Sequence, residues 1–277
     1  MKLSKRHFYN GADYKLDEIN KIVVLNEGFH QKLLDKKLWN KFGFKKIGGS
    51  SVGDVLETDD FKSQFAAFAR MSWIGLPILD RKYVDAGIDI EPMVVDAIEQ
   101  KLKLKVQTYD PVEYNFDYFA GKDDVIGGLP DGFIEDEKII IEIKTTGEKN
   151  YDNWNKYGVP IAYLKQAQLY SYLMGVEDFW IVATFLKEED YLDAKSFPIN
   201  QRKIKNYKYK TNKAQIQDDI QTIKDWYFKY TASGISPKYN EFKDGDLIEY
   251  LRCKDAAEYK KLLDKWSADG KLKLDYE

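Results

Sequence analysis

Residues 126–146, Ile-Gly-Gly-Leu-Pro-Asp-Gly-Phe-Ile-Glu-Asp-Glu-Lys-Ile-Ile-Ile-Glu-Ile-Lys-Thr-Thr, constrain the fold more than any other part of the chain. Strand side chains repeat every two residues. Ile139, Ile141 and Ile143 therefore fall on one side, and Ile140, Glu142 and Lys144 on the other. Glu135-Asp136-Glu137 supplies the turn of a β-hairpin, and pairing back along that hairpin brings Asp131 toward Glu142. Pro130-Asp131-Gly132 is also an ordinary turn signature, and Glu-x-Lys is common on half-exposed strands. The flanking segments must supply the rest of the argument.

These residue types suit phosphodiester hydrolysis. Mg²⁺ prefers hard oxygen ligands, keeps several waters, and takes one or two carboxylates plus substrate phosphate oxygens. Asp131 and Glu142 offer the carboxylates, and the backbone carbonyl of Ile143 offers a neutral ligand. Water on such a cation loses its proton readily. Lys144, beside two carboxylates, is expected to stay protonated, orienting that water and offsetting charge in the transition state.

Upstream, Gly87-Ile-Asp-Ile-Glu91-Pro92 opens a run with Val94, Val95, Ile98 and Leu102 at helical spacing. Proline suits the first turn of a helix, which puts Glu91 at the helix start. There it either reaches a cation or its bound water, or simply complements the helix dipole. Downstream, Tyr163-Leu-Lys-Gln-Ala-Gln168-Leu-Tyr-Ser-Tyr172-Leu-Met reads as a second helix ending near Gly175. Gln168 and Tyr172 are four apart and share a face, which can meet Lys144 or a DNA phosphate, or form a plain polar patch. Phe179-Trp-Ile-Val-Ala-Thr-Phe-Leu186 reads as a buried strand.

This order of a helix with Glu, a hairpin with Asp then Glu-x-Lys, a helix with Gln and Tyr, and a strand resembles the PD-(D/E)xK nucleases. More narrowly, it is similar to the lambda exonuclease and YqaJ-type viral recombinase group. Ile47-Gly-Gly-Ser-Ser51, Gly128-x-x-Asp131-Gly132, Asp225-Trp226 and Gly234-Ile-Ser-Pro237 add to the likeness, which spans residues 47–240. The resemblance implies an α/β fold: a restriction-endonuclease-like core with a central mixed β-sheet flanked by helices. It implies Glu91, Asp131, Glu142 and Ile143 as metal ligands, Lys144 as catalytic lysine and Gln168 as motif glutamine. It also implies Ser50 and Ser51, with Arg70, at the DNA end; a serine-capped helix from Ser51 is the plain alternative. The implied activity is a Mg²⁺-dependent exonuclease, with Mn²⁺ also admitted, acting on linear double-stranded DNA. An endonuclease and a non-catalytic DNA-binding scaffold are the alternatives. A single-strand annealing protein and a homo-oligomeric ring are the partners such a family brings. The position after Gly-Gly-Ser, often acidic in the group, is Ser51, and residues 147–158 read as an inserted polar loop.

The 277 residues suffice for one sizeable core with helical extensions. We expect a helical accessory segment over 1–46, with a helix around residues 19–39, the core over 47–240, and a helical C-terminal extension over 241–277. In the last, Ala256, Tyr259, Leu262, Leu263 and Trp266 form an apolar face behind an Asp255 cap, ready to dock on the core or on another subunit. The net charge of −3 gives no global signature of nucleic-acid binding, so basic grooves must be local. Residues 201–213 carry Arg202, Lys203, Lys205, Lys208, Lys210 and Lys213 without an acid, interleaved with Tyr207 and Tyr209. Lys36, Lys37, Lys41 and Lys45 surround Trp39, Phe42 and Phe44 in a second such segment. A single cysteine excludes an internal disulfide and a four-cysteine iron–sulfur cluster, and suits a reducing cytoplasm. Two histidines argue against a zinc hydrolase. No apolar run is long enough to span a membrane.

Overall fold

The computed structural model describes residues 2–35 and 42–276. It begins with strands β1 (Tyr14–Asp17) and β2 (Ile22–Leu25), then helices α1 (Glu27–Leu34), α2 (Gly49–Val55), α3 (Gln64–Met71) and α4 (Lys82–Leu102). Strands β3 (Gly132–Ile134) and β4 (Ile139–Gly147) follow, then α5 (Asn150–Tyr157), α6 (Ile161–Met174), β5 (Asp178–Leu186) and β6 (Lys203–Lys210). The chain ends with α7 (Lys213–Ser233), α8 (Glu241–Arg252) and α9 (Ala256–Ala268). It divides into two compact units, one of residues 48–53 and 82–220, the other of 1–47, 54–81 and 221–277. This interleaved division differs from the three consecutive segments expected from the sequence.

The unit of residues 48–53 and 82–220 holds a four-stranded sheet in the order β3-β4-β5-β6. β3–β4 and β5–β6 are antiparallel and β4–β5 parallel, so the sheet is mixed. Ile139, Ile141 and Ile143 bury against Ile90, Val94, Val95 and Ile98 of α4. Ile140 packs with Tyr170 and Ala167 of α6, and with Phe179 and Ile181 of β5. The expected two-faced strand is present, with an apolar layer on each side. β5 has every residue from Phe179 to Leu186 buried, as a central strand covered on both faces requires.

Two helices differ from expectation. Pro92 lies inside the 21-residue α4 rather than in its first turn, so Glu91 sits in mid-helix. A proline there removes one intrahelical bond and crowds the preceding turn. Burial of Ala86 and Ile90 before it and Val94 after it against the sheet holds the helix through that break. The polar stretch 147–158 contains α5, anchored by buried Trp154.

In the other unit, the helix expected over 19–39 is replaced by the β1–β2 hairpin and the short α1; Trp39 lies outside the described residues. β2 is held from far along the chain. Ser236 Oγ accepts from the Val23 N–H at 2.8 Å, and the Ser236 and Leu25 N–H groups bond to the Val23 and Gly234 carbonyls at 2.8 Å. Gly234 has φ +63, and a Cβ there would stand 2.8 Å from His30 Nδ1, so both backbone and space require glycine. Of the α9 apolar face, Tyr259, Leu263 and Trp266 are buried, while Ala256 is exposed. Trp266 is fully buried, its Nε1 donates to Glu249 Oε2 at 3.0 Å, and the Asp255 carboxylate caps the Ala257 and Glu258 N–H groups. Among the described residues no helix is long and apolar enough to cross a membrane.

Candidate active site

The β3–β4 ladder ends with Gly132 opposite Ile141. One residue further along that register, Asp131 falls opposite Glu142, at the edge of β4 that β3 no longer covers. Asp131 Oδ2 accepts the Ile143 N–H at 2.6 Å. In an extended strand a residue's N–H and C=O point to the same edge, so the Ile143 carbonyl is turned toward this opening as well. On the α6 face of β4, Lys144 Nζ donates to Glu142 Oε1 at 2.5 Å. The same oxygen accepts Gln166 Nε2 at 2.5 Å. Glu142 is 1 % exposed, and its other oxygen, Oε2, is buried with no hydrogen-bond partner.

The electrostatics follow from this crowding. Burial pushes Glu142 up to about 8, with the Asp131 and Glu91 charges adding to the rise and Lys144 opposing it. Burial likewise lifts Glu91 to about 7, again with Asp131 adding and Lys144 opposing. Asp131 is raised by burial against the pull of Lys144 and the Ile143 N–H. Burial works to lower the Lys144 ammonium, but Glu142 and Asp131 outweigh it and hold the lysine protonated well above its usual range. Three carboxyls thus face one ammonium, and the surplus must be met by protons or by a cation.

The residues fit a divalent ion in kind. They offer an orphaned carboxylate oxygen, a second carboxylate beside it and a carbonyl at the same edge, all hard donors. Among the described residues no three His, Cys, Asp or Glu side chains form a ready-made metal cage. Mg²⁺ does not require one, since water and substrate phosphates complete its shell.

On α6 it is Gln166, not the expected Gln168, that meets Glu142. Gln168 Oε1 accepts the Asn212 N–H at 3.3 Å, while Gln166 is the residue on Glu142. At about 100° per residue, positions two apart point to nearly opposite sides. Tyr172, expected beside Gln168, is 45 % exposed. The residue missed altogether is Tyr170, one turn beyond Gln166 and 3 % exposed. Its oxygen accepts from the Gln166 side chain and the Gly49 N–H. A Cβ at Gly49 or Gly128 would stand 2.4 or 2.6 Å from that oxygen. Gly49 and Gly128 therefore leave the space that Tyr170 needs. The Tyr-x-x-Gln-x-x-x-Tyr spacing from Tyr163 was the available signal.

The remaining expected DNA contacts divide. α2 starts at Gly49, ahead of Ser50 and Ser51, so neither serine is its cap; Ser50 is exposed and Ser51 buried. Arg70 belongs to the other unit, where Nη1 pairs with Asp54 at 3.2 Å. Arg202 is spent on buried Asp190 through two bonds of 2.7 Å. Lys203 and Lys205 pair in register with Phe185 and Ala183, on the Glu142–Lys144 face. Lys208 and Lys210 point to the opposite face, Lys208 over the Trp180 ring at 4.6 Å and Lys210 toward Asp178 at 3.3 Å. The basic strand therefore does not form a single groove. Lys36, Lys37 and Lys41 of the first basic segment lie outside the described residues, and Lys45 stands over the Trp73 ring.

A family model for the YqaJ-like viral recombinase domain matches residues 38–177, half of the chain, and includes Glu91, Asp131, Glu142, Lys144 and Gln166. The chain belongs to the YqaJ-like viral recombinase family. It is 30% identical over 266 residues to the uncharacterized protein MG373 of Mycoplasma genitalium, covering 81% of this chain and 92% of that one. The homologue of that protein in Mycoplasma pneumoniae is 27% identical over 277 residues, with the same coverage. In structure this YqaJ-like chain is similar to an alkaline exonuclease from Laribacter hongkongensis, with TM-score 0.52 and 16% identity over 68% of this chain and 89% of that one. It is also similar to a phage-related exonuclease from Haemophilus somnus 129PT, with TM-score 0.50 and 15% identity over 68% and 94% of the two chains. At these identities the likeness establishes the fold, which is the mixed-sheet, restriction-endonuclease-like α/β class expected from the sequence.

Proposed function

We propose that this chain is a divalent-metal-dependent deoxyribonuclease, an exonuclease that degrades linear double-stranded DNA from its ends in recombination or repair, with Mg²⁺ as the ion. The observation that carries the reading is the buried, unpartnered Glu142 Oε2 beside Asp131, with Lys144 and Gln166 on the other Glu142 oxygen. Family membership and the exonuclease-type fold support it.

Asp131, Glu142 and the Ile143 carbonyl would hold the ion, with Glu91 joining through its carboxylate or a bridging water. When bound, the ion supplies charge that polarises a phosphoryl oxygen and eases loss of a proton from water. Lys144 stays protonated beside two carboxylates, so it stabilises negative charge gathering on the phosphoryl group and does not serve as the base. Its hydrogen bond to Oε1 fixes the Glu142 carboxylate plane and leaves Oε2 without a protein donor. Gln166 locks that orientation from α6, and Tyr170 locks Gln166. On the same sheet face, Lys205 shares a rung with Lys144 through Ala183. Its backbone lies about 10 Å away, two strand spacings, and its ammonium, which donates to Asn155 Oδ1 in this structure, would turn to a neighbouring phosphate.

The test is digestion of linear and covalently closed circular duplex DNA with Mg²⁺, Mn²⁺ or EDTA, with Lys144→Ala alongside. We expect metal-dependent loss of linear DNA alone, with turnover in the variant lower by on the order of 10²-fold or more. Cleavage of circles would replace the exonuclease with an endonuclease. Binding without cleavage under every metal would leave a DNA-binding scaffold.

A further inference from the structure

The unit of residues 1–47, 54–81 and 221–277 contains a cavity of about 510 Å³. That is within the roughly 300–1,000 Å³ of small-molecule sites. Its lining includes Lys5, Arg6, Lys45 and Arg70 and, among the described residues, no carboxylate. This is a sharp local excess in a chain with 43 basic and 46 acidic residues. Arg6 is floor: its guanidinium donates to the Phe8 and Tyr250 carbonyls and to Tyr14 Oη at 2.7–2.9 Å. Lys45 differs. Its ammonium rests 3.8 Å from the centre of the Trp73 ring, and burial together with the Arg70 charge pushes its pKa down. It is a cation held where an anion would relieve it.

Trp73 is the second independent observation. Its φ is +65, a conformation costly for a bulky side chain and concentrated at functional positions. The indole is fixed by an Nε1 bond of 2.7 Å to the Gly43 carbonyl and by the edge of Phe42 at 5.3 Å. Backbone strain is thus spent on presenting a flat aromatic surface to a cationic cavity.

We propose that this cavity binds a nucleoside monophosphate, with Lys45, Arg70 and Lys5 on the phosphate and the Trp73 indole against the base. A phosphate draws the Lys45 ammonium off the ring, and a planar base takes the vacated face by stacking. The site uses none of the residues at the Asp131–Glu142 centre and does not depend on that centre being catalytic.

Calorimetric titration of the full-length protein in EDTA tests it, with dAMP, deoxyadenosine, inorganic phosphate and a 5′-phosphorylated single-stranded decamer as separate probes. We expect dAMP to bind, and deoxyadenosine and phosphate each to bind at least about tenfold more weakly. Lys45→Gln should weaken dAMP by about tenfold and Lys45→Arg should restore most of it. Trp73→Asn, which tolerates positive φ, should lose the preference of dAMP over phosphate. Thermal melts of each variant establish that it is folded. Absence of dAMP binding, or equal affinity in folded Lys45→Gln, would overturn the proposal. Equal binding of phosphate and dAMP would remove the nucleoside, and much tighter binding of the decamer would replace the mononucleotide with a nucleic-acid strand.

Discussion

Without a cation, and with Lys144 opposing, burial beside the Asp131 and Glu91 charges raises the proton affinity of Glu142. Its folded value of about 8 lies above the ordinary 4.5, and Glu91 moves the same way, to about 7. The folded chain therefore binds more protons than the unfolded chain across this window, and stability falls as pH rises through it. The contribution is whole below about pH 4.5 and is lost by about pH 8. Carboxylates with lowered values, such as Asp190 and Glu249, act below this window. Melting temperature in EDTA should thus decline from pH 5 to pH 8.5, and Glu142→Gln should flatten the decline. A profile that rises, or one unchanged in Glu142→Gln, would remove this cluster as the cause. Gln166 and Gln168 offer a sharper contrast. Gln166→Ala should lower DNA cleavage at least about tenfold with little loss of stability, because one bond orienting Glu142 is removed. Gln168→Ala should leave cleavage near wild type; if the two variants behave alike, the orienting role given to Gln166 falls. Both glutamines fit an amphipathic helix and both have a tyrosine four residues on. Tyr163, three residues before Gln166, is the one sequence difference, and the rotation of α6 on the sheet decides which glutamine meets Glu142.

Among the elements, the hairpin was the legible part. Alternation over residues 138–144 assigned both faces of β4, and the turn residues set a register that carries Asp131 to Glu142. α4 was legible as a helix but not in its start, since Pro92 fits an N-terminal turn by local rules and sits mid-helix only because α4 buries both sides of it. The β1–β2 hairpin was not legible. Its four-residue strands are marginal alone and are held by Gly234 and Ser236, more than 200 residues away in sequence. β6 shows a third case, where composition marked a basic strand but the two-residue period divides it. Lys203→Gln with Lys205→Gln should weaken duplex binding and reduce its salt slope by about one to two units. The pair Lys208→Gln with Lys210→Gln should change the slope less. Equal slopes for both double variants would remove the face distinction.

For the molecule as a whole, a net charge of −3 and a cluster of buried acids look unfavourable for a polyanion substrate. The arrangement is consistent if the acids are neutralised by protons or a cation while the basic residues act locally. The YqaJ-like match spans residues 38–177, crossing the interleaved boundaries of both units. The family therefore describes a chain path rather than a separable block, which is why consecutive domain boundaries drawn from sequence do not coincide with the compact units. The central claim is that Asp131 and Glu142 together hold the divalent ion. Its most direct test is a Mn²⁺ titration at pH 7 in buffers of different ionisation enthalpy, with wild type, Asp131→Asn and Glu142→Gln. We predict binding with release of protons in the wild type, because a raised carboxyl must deprotonate to become a ligand, and loss of that binding in both variants. Mn²⁺ binding that is equal in all three proteins, or absent from the wild type, would contradict the account.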